Sequence, residues 1–194
     1  MTTLNDAKIR IALRQTLNAR VARARSAVLL DEFSLSAGRT RADLAVVNGH
    51  LCGYEIKSDR DTLERLPDQM RAFNSVFDRM TLVVGWRHAA GAMRLIPAWW
   101  GVQLVDTGSR GAVRFSTLRV SARNPSQHAR AVAALLWRDE AVAAARQLNS
   151  SLPTRALSRR ELTDYLAEQM SPSELRLTVC SSIKSRQSWR AAAR

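Results

Sequence analysis

Lysine is nearly missing from this chain: 27 of its 30 cationic residues are arginine, and the others are Lys8, Lys57 and Lys184. Histidine is equally scarce, at three, and the only cysteines are Cys52 and Cys180. Two cysteines and three scattered histidines cannot assemble a four-ligand zinc site at any usual spacing. A disulfide framework is excluded as the main source of stability, because 194 residues can bury a real core. No run approaches the roughly 18 consecutive apolar residues of a membrane span. Ala131-Val-Ala-Ala-Leu-Leu-Trp137, among the longest apolar runs, stops at a charge. Residues 2–14 mix charged and apolar types, unlike a secretory leader. Gly-x-Gly-x-x-Gly, a phosphate-loop lysine and Gly-x-Ser-x-Gly are all lacking, so dinucleotide, nucleotide-triphosphate and serine-hydrolase chemistries have no support. These absences lead to the expectation of a cytoplasmic protein with no membrane partner.

What is present is positive charge: 30 Lys and Arg against 17 Asp and Glu, a formal net charge of +13. Between Met80 and Trp137 there are seven arginines and a single acid, Asp106. From Ser181 to Arg194 there are four cationic residues and no acid. Such a field attracts polyanions, of which nucleic acid is the commonest large one. An acidic partner protein, or charge that serves solubility alone, fits the same composition. The hydrophobic fraction of 46% is that of an ordinary globular chain.

Periodicity and turn signals order the elements. Asn5 can cap a helix to about Ala24 whose apolar positions are Ile9, Leu13 and Leu17, with arginines on its outer face. Strands follow over 27–35, 41–47 and 51–56, with a turn at Ser36-Ala37-Gly38 and a hairpin at Asn48-Gly49. Asp59 and Asp61 suit the start of a helix running to about Arg79, interrupted by Pro67. A buried strand over 80–86, a helical piece over 88–94 and strands over 102–105 and 113–120 come next. Pro125 opens a long helix to about Leu148, with Ala131, Leu135, Val142 and Ala145 among its apolar positions. Asn149 to Thr154 reads as a linker. Two capping boxes, Ser158 to Glu161 and Ser171 to Glu174, announce two further helices, the second with Pro172 at its first position. The expected organisation is an α/β core over 1–148, then a linker and helical C-terminal extension over 149–194.

The stretch from Arg41 to Ser58 holds the residues that can do chemistry. Glu55 and Lys57 are two apart, so they share a sheet face. Whether Asp43 joins them depends on the hairpin. A two-residue loop pairs Asp43 with Tyr54 and turns it away. A three-residue loop, Asn48-Gly49-His50, pairs Val47 with Leu51 and Asp43 with Glu55; a bulge at Gly53 could restore the same phase. An odd loop or a bulge is the expectation, because only then do the acids converge. Opposed carboxylates repel across a sheet, and a divalent cation between them reverses that penalty. Mg²⁺ prefers oxygen ligands and keeps several waters. Asp43, Glu55 and the Ile56 carbonyl would supply its protein ligands, and Lys57 would stand beside the attacking water. For Glu55-Ile56-Lys57 taken alone, an ordinary surface salt-bridge pattern is the favoured account.

Arg41-Ala-Asp43, the hairpin, Gly53-Tyr-Glu55-Ile-Lys57-Ser58-Asp59 and the helix carrying Arg65-Leu-Pro67 and Gln69 together resemble the PD-(D/E)xK nuclease superfamily. Within it, 31–84 looks like an uncharacterised bacterial family and like the MmcB-like DNA-repair group. The resemblance implies a restriction-endonuclease-like core, a mixed sheet flanked by helices, and Mg²⁺-dependent cleavage of nucleic acid, with Mn²⁺ as a substitute. It assigns Asp43 and Glu55 to the metal and Lys57 to catalysis. Gln69, with Phe73 where Tyr is more usual, would help position water or substrate. Members often carry a further acid on the first helix; that helix has no Glu here, so Glu32 on the first strand is the candidate. Ala42 stands where the family has proline.

Arg39, Arg41, Ser58 and Arg60 flank the acids and could hold phosphates. Trp86, Trp99 and Trp100 could stack on bases or fill the core. The two C-terminal helices suit packing against the core or a second subunit, so a homodimer is one expected assembly. The function expected is a metal-dependent nuclease acting on DNA. The alternatives are a nucleic-acid-binding module without hydrolysis and a basic protein-interaction subunit.

Overall fold

A computed structural model describes residues 5–24, 26–35, 38–108 and 111–192, with side chains described as far as Arg186. Asn5 accepts the Lys8 amide at 3.0 Å and starts α1 (Asp6–Val21), which buries Ile9, Leu13 and Leu17 and stops short of Ala24. Three strands follow in meander: β1 (Val28–Leu35), β2 (Thr40–Val47) and β3 (Leu51–Lys57). Ser36 and Ala37 of the expected turn lie outside the described residues. Then come α2 (Leu66–Val76), β4 (Arg79–Gly85), α3 (Trp86–Leu95), β5 (Gly101–Thr107) and β6 (Val113–Arg119). Four helices close the chain: α4 (Ala129–Ala133), α5 (Arg138–Leu148), α6 (Arg159–Gln169) and α7 (Pro172–Ala192).

The strands form one mixed sheet in the order β1-β2-β3-β4-β5-β6. β1, β2 and β3 pair antiparallel, β3, β4 and β5 pair parallel, and β6 returns antiparallel. Parallel neighbours need a crossover, which α2 and α3 provide. Alternation sorts the side chains between two faces. Leu44, Val46, Ile56, Val83 and Val105 pack under α1. Ala45, Val47, Leu82, Val84 and Leu104 face the other way, into the cluster built with α2 through α7. The result is an α/β fold with helices on both sides of a six-stranded sheet. Among the described residues no helix is long and apolar enough to cross a membrane.

Two expectations require correction. The helix expected from Asp59 starts only at Leu66, because both acids are engaged elsewhere. Asp61 Oδ2 accepts the Ser58 amide and hydroxyl at 2.7 and 2.6 Å, and Asp59 Oδ1 accepts the Arg87 amide of α3 at 2.9 Å. The long helix expected over 125–148 is two helices. Buried Asn124 donates to the carbonyls of Asn74 and Phe77, which pins the chain before α4 in an extended path. Glu140 then reaches back to the Trp137 amide at 2.7 Å and marks a fresh start for α5.

Residues 149–194, expected as a linker and helical extension, pack against the core, one of the two placements expected for their helices. Leu162, Leu166, Leu175, Val179, Cys180 and Ile183 belong to the same apolar cluster as the sheet, and α7 packs on β2. Both capping boxes form as expected, at Ser158/Glu161 and Ser171/Glu174. Asp78, 2% exposed, ties the layers together: it accepts the Leu51 amide at 2.7 Å and faces Arg176 of α7 at 3.7 Å.

Candidate active site

The β2–β3 hairpin turns through Asn48-Gly49-His50, with Gly49 at φ +97°, and pairs Val47 with Leu51. Gly suits that left-handed corner because it has no Cβ to clash. Pairing continues to Leu44 and Tyr54, so Asp43 and Glu55 are the next opposed residues. No further rung forms there; the Asp43 carboxylate takes the Ile56 amide instead, Oδ2 accepting at 2.6 Å. Asp43, Glu55 and Lys57 therefore meet at one cavity of about 580 Å³.

The inward alternation of β1 and β2 breaks at this point. Leu30 and Phe33 of β1 join one apolar cluster, as do Ala42 and Ala45 of β2; both are three-residue steps. The steps bracket Glu32 and Asp43. Glu32 has φ +51°, a left-handed conformation that costs an L-residue about 1–2 kcal/mol. Its carboxylate is held between Arg10 and Arg41, the latter at 3.2 Å.

Glu55 is 2% exposed. Its Oε1 accepts from Lys57 Nζ at 2.8 Å and from Gln69 Nε2 at 2.7 Å. Its Oε2 and the Oε1 of Gln69 are buried and meet no donor among the described residues. Burial, then the neighbouring Asp43 charge, push the Glu55 pKa up to about 7, against the pull of Lys57 and Gln69. Asp43 is also raised, by burial first, with the Ile56 amide and Arg10 opposing. Buried acceptors lacking donors, beside two acids reluctant to ionise, form an environment that a cation relieves. The donor set suits a hard cation that keeps most of its waters, as Mg²⁺ and Mn²⁺ do, rather than a closed cage. No group of three or more His, Cys, Asp or Glu placed to hold a metal occurs among the described residues.

The other expected residues divide. Gln69 and Glu32 reach the cavity, and Arg39 and Arg41 line its mouth. Ile56 lines it while its side chain packs under α1. Ser58 does not serve as a surface phosphate contact: it is 1% exposed and its hydroxyl donates to Asp61. Arg60 is exposed but lies outside the cavity lining. Trp99 and Trp100 are buried, whereas Trp86 stands free at 75% exposure.

Two site residues escaped the sequence reading. Arg10 does not lie on an outer face of α1. It turns into the cavity and bridges Glu32, Asp43 and, at 3.4 Å, Asp6. The Oδ1 of Asp43 is thus held by a guanidinium, which a metal bound there must displace. Asp6, an acid of α1, also lines the cavity. The available signal was the flank of the buried stripe: Arg10 adjoins Ile9, and Asp6 stands one turn earlier. Gly38, Thr40, Asp61, Arg65 and Asp68 complete the lining.

A model of the family described as Bacteriophage P4 protein cII matches residues 1–192. Protein cII of Enterobacteria phage P4 is 30% identical over 116 residues, which cover 60% of this chain and 43% of that protein. The match therefore spans less than half the length of that relative. Among solved structures, the SPO1766 protein of unknown function from Silicibacter pomeroyi aligns with a TM-score of 0.45 at 20% identity, over 81% of this chain and 98% of that one.

Proposed function

This chain belongs to the bacteriophage P4 protein cII family, and we propose that it is a metal-dependent nuclease that hydrolyses phosphodiester bonds in DNA. The observation that carries the reading is the gathering of Asp43, Glu55 and Lys57 around a buried carboxylate oxygen that lacks a donor. The order of α1, β1 to β3, α2 and β4, with an antiparallel meander joined to a parallel strand, supports a restriction-endonuclease-like core. The net charge of +13 supports a polyanionic substrate.

Asp43 and Glu55 would hold Mg²⁺ or Mn²⁺, which supplies Lewis-acid charge next to the scissile phosphate when bound. Lys57 donates to Glu55 and presents a compact positive charge where negative charge develops on the phosphate. Gln69 fixes Glu55 from the side opposite the sheet and keeps its own oxygen free to orient water. Arg39 and Arg41, at the cavity mouth, bind flanking phosphates.

The test is cleavage of plasmid, single-stranded DNA and RNA in Mg²⁺, Mn²⁺ or EDTA. Products that need metal and vanish in Asp43→Asn and Lys57→Ala support the proposal. Full activity in either variant overturns it. Arg10 on Asp43 is the observation that favours the alternative of a binding module without hydrolysis. That alternative predicts metal-independent DNA binding and no products. Binding to an acidic protein but to no nucleic acid would indicate an interaction subunit.

A further inference from the structure

Trp86 is a large apolar ring left in water, 75% exposed. Among the described residues neither a second ring nor a guanidinium stacks on it, in contrast to Trp99, Trp100 and Trp137. Its position is not that of a loose loop tip. It is the first residue of α3, directly after β4, and β4 runs parallel to β3 with Val84 beside Lys57. Two residues at about 3.3 Å each and one strand spacing of about 4.8 Å place its Cα on the order of 8 Å from that of Lys57.

The corner that carries Trp86 is rigid. A Cβ on Gly85 would lie 2.2 Å from Asp59 Oδ1 and 2.9 Å from the Asp59 backbone nitrogen, so only glycine allows this approach. The same Asp59 oxygen accepts the Arg87 amide at 2.9 Å and fixes the first turn of α3. Arg87 is exposed next to Trp86, and Arg60 is exposed on the loop that carries Asp59. A flat ring flanked by cations suits a nucleotide, base on the ring and phosphate on an arginine.

We propose that Trp86 is a stacking platform for an unpaired DNA base adjoining the phosphate held at Lys57. In a duplex both faces of an internal base are already stacked, so a ring presented in this way selects single-stranded or frayed DNA. The inference rests on the nuclease reading for the phosphate at Lys57, and its binding test does not depend on cleavage.

The experiment measures binding of a short fluorescein-labelled oligodeoxynucleotide in EDTA, single-stranded or annealed to its complement, by anisotropy. Trp86→Ala weakens single-strand binding about tenfold or more, as expected for one lost stack. Trp86→Phe retains most of the affinity, and duplex binding barely changes. Thermal melts of both variants match the wild type, because the ring contributes no buried contact. Equal single-strand affinity in wild type and Trp86→Ala overturns the proposal, as does an equal loss on duplex. Trp86-dependent binding without Lys57-dependent cleavage sinks the nuclease reading and leaves the platform standing. Lys57-dependent cleavage that is indifferent to Trp86 does the reverse. Absence of all DNA binding removes both.

Discussion

Replacing Glu55 with Gln makes the protein more stable, and only at neutral to alkaline pH. The Glu55 pKa rises from an ordinary 4.5 to about 7 because the carboxyl is buried beside Asp43. In the unfolded chain the group ionises near its ordinary value. Between these two values the native state therefore holds the proton that the unfolded state has released, and native stability falls as pH rises through the interval. The interval corresponds to roughly 3 kcal/mol. Gln has the shape of the neutral acid, and its amide offers donors where Glu55 Oε2 and Gln69 Oε1 have none. Glu55→Gln should match wild type near pH 4.5 and exceed it by about 3 kcal/mol at pH 8, a rise of about 6–12 °C in Tm for a chain of this size. Urea unfolding in EDTA at both pH values measures this. A variant no more stable than wild type at pH 8, or one showing the same difference at both, refutes the account of the buried acid.

Arg10→Gln frees Asp43 Oδ1 and should tighten Mn²⁺ binding several-fold by calorimetry; weaker binding would show that Arg10 organises the acids rather than competing for them. Gly85→Ala drives a methyl into Asp59 and should lose about 1–3 kcal/mol in urea, where an unchanged midpoint would contradict the packing at that corner. Asp78→Ala strands the Leu51 amide and Arg176, with an expected loss of about 2–4 kcal/mol, and a loss below about 1 would mean that water replaces the carboxylate.

Where structure follows from neighbours in sequence, it was legible. The Asn5 cap, the three-residue turn at Asn48-Gly49-His50 and the boxes at Ser158 and Ser171 depend on residues within a few positions of one another. The turn alone determines the register that brings Asp43 to Glu55, so their meeting could be read in advance. What escaped depends on distant partners. Asp59 looked like the start of α2 because nothing local reveals that it caps α3. The late start of α4 comes from Asn124 binding carbonyls far back in the chain. Periodicity identified the buried stripe of α1 but not which flank meets the cavity, so Arg10 was assigned to solvent. The capping boxes announce α6 and α7 without deciding between packing on the core and packing on a second subunit; the choice is made by distant contacts with the sheet cluster.

The packing of α7 on β2 constrains how the molecule comes into being. During synthesis α2 to α5 can already lie on that side of the sheet, but the part at β2 that α7 covers stays wet until Leu175, Val179 and Ile183 are made. A nascent or truncated product that ends near Leu148 would leave the apolar faces of α4, α5 and β2 that α6 and α7 cover open to chaperones or aggregation.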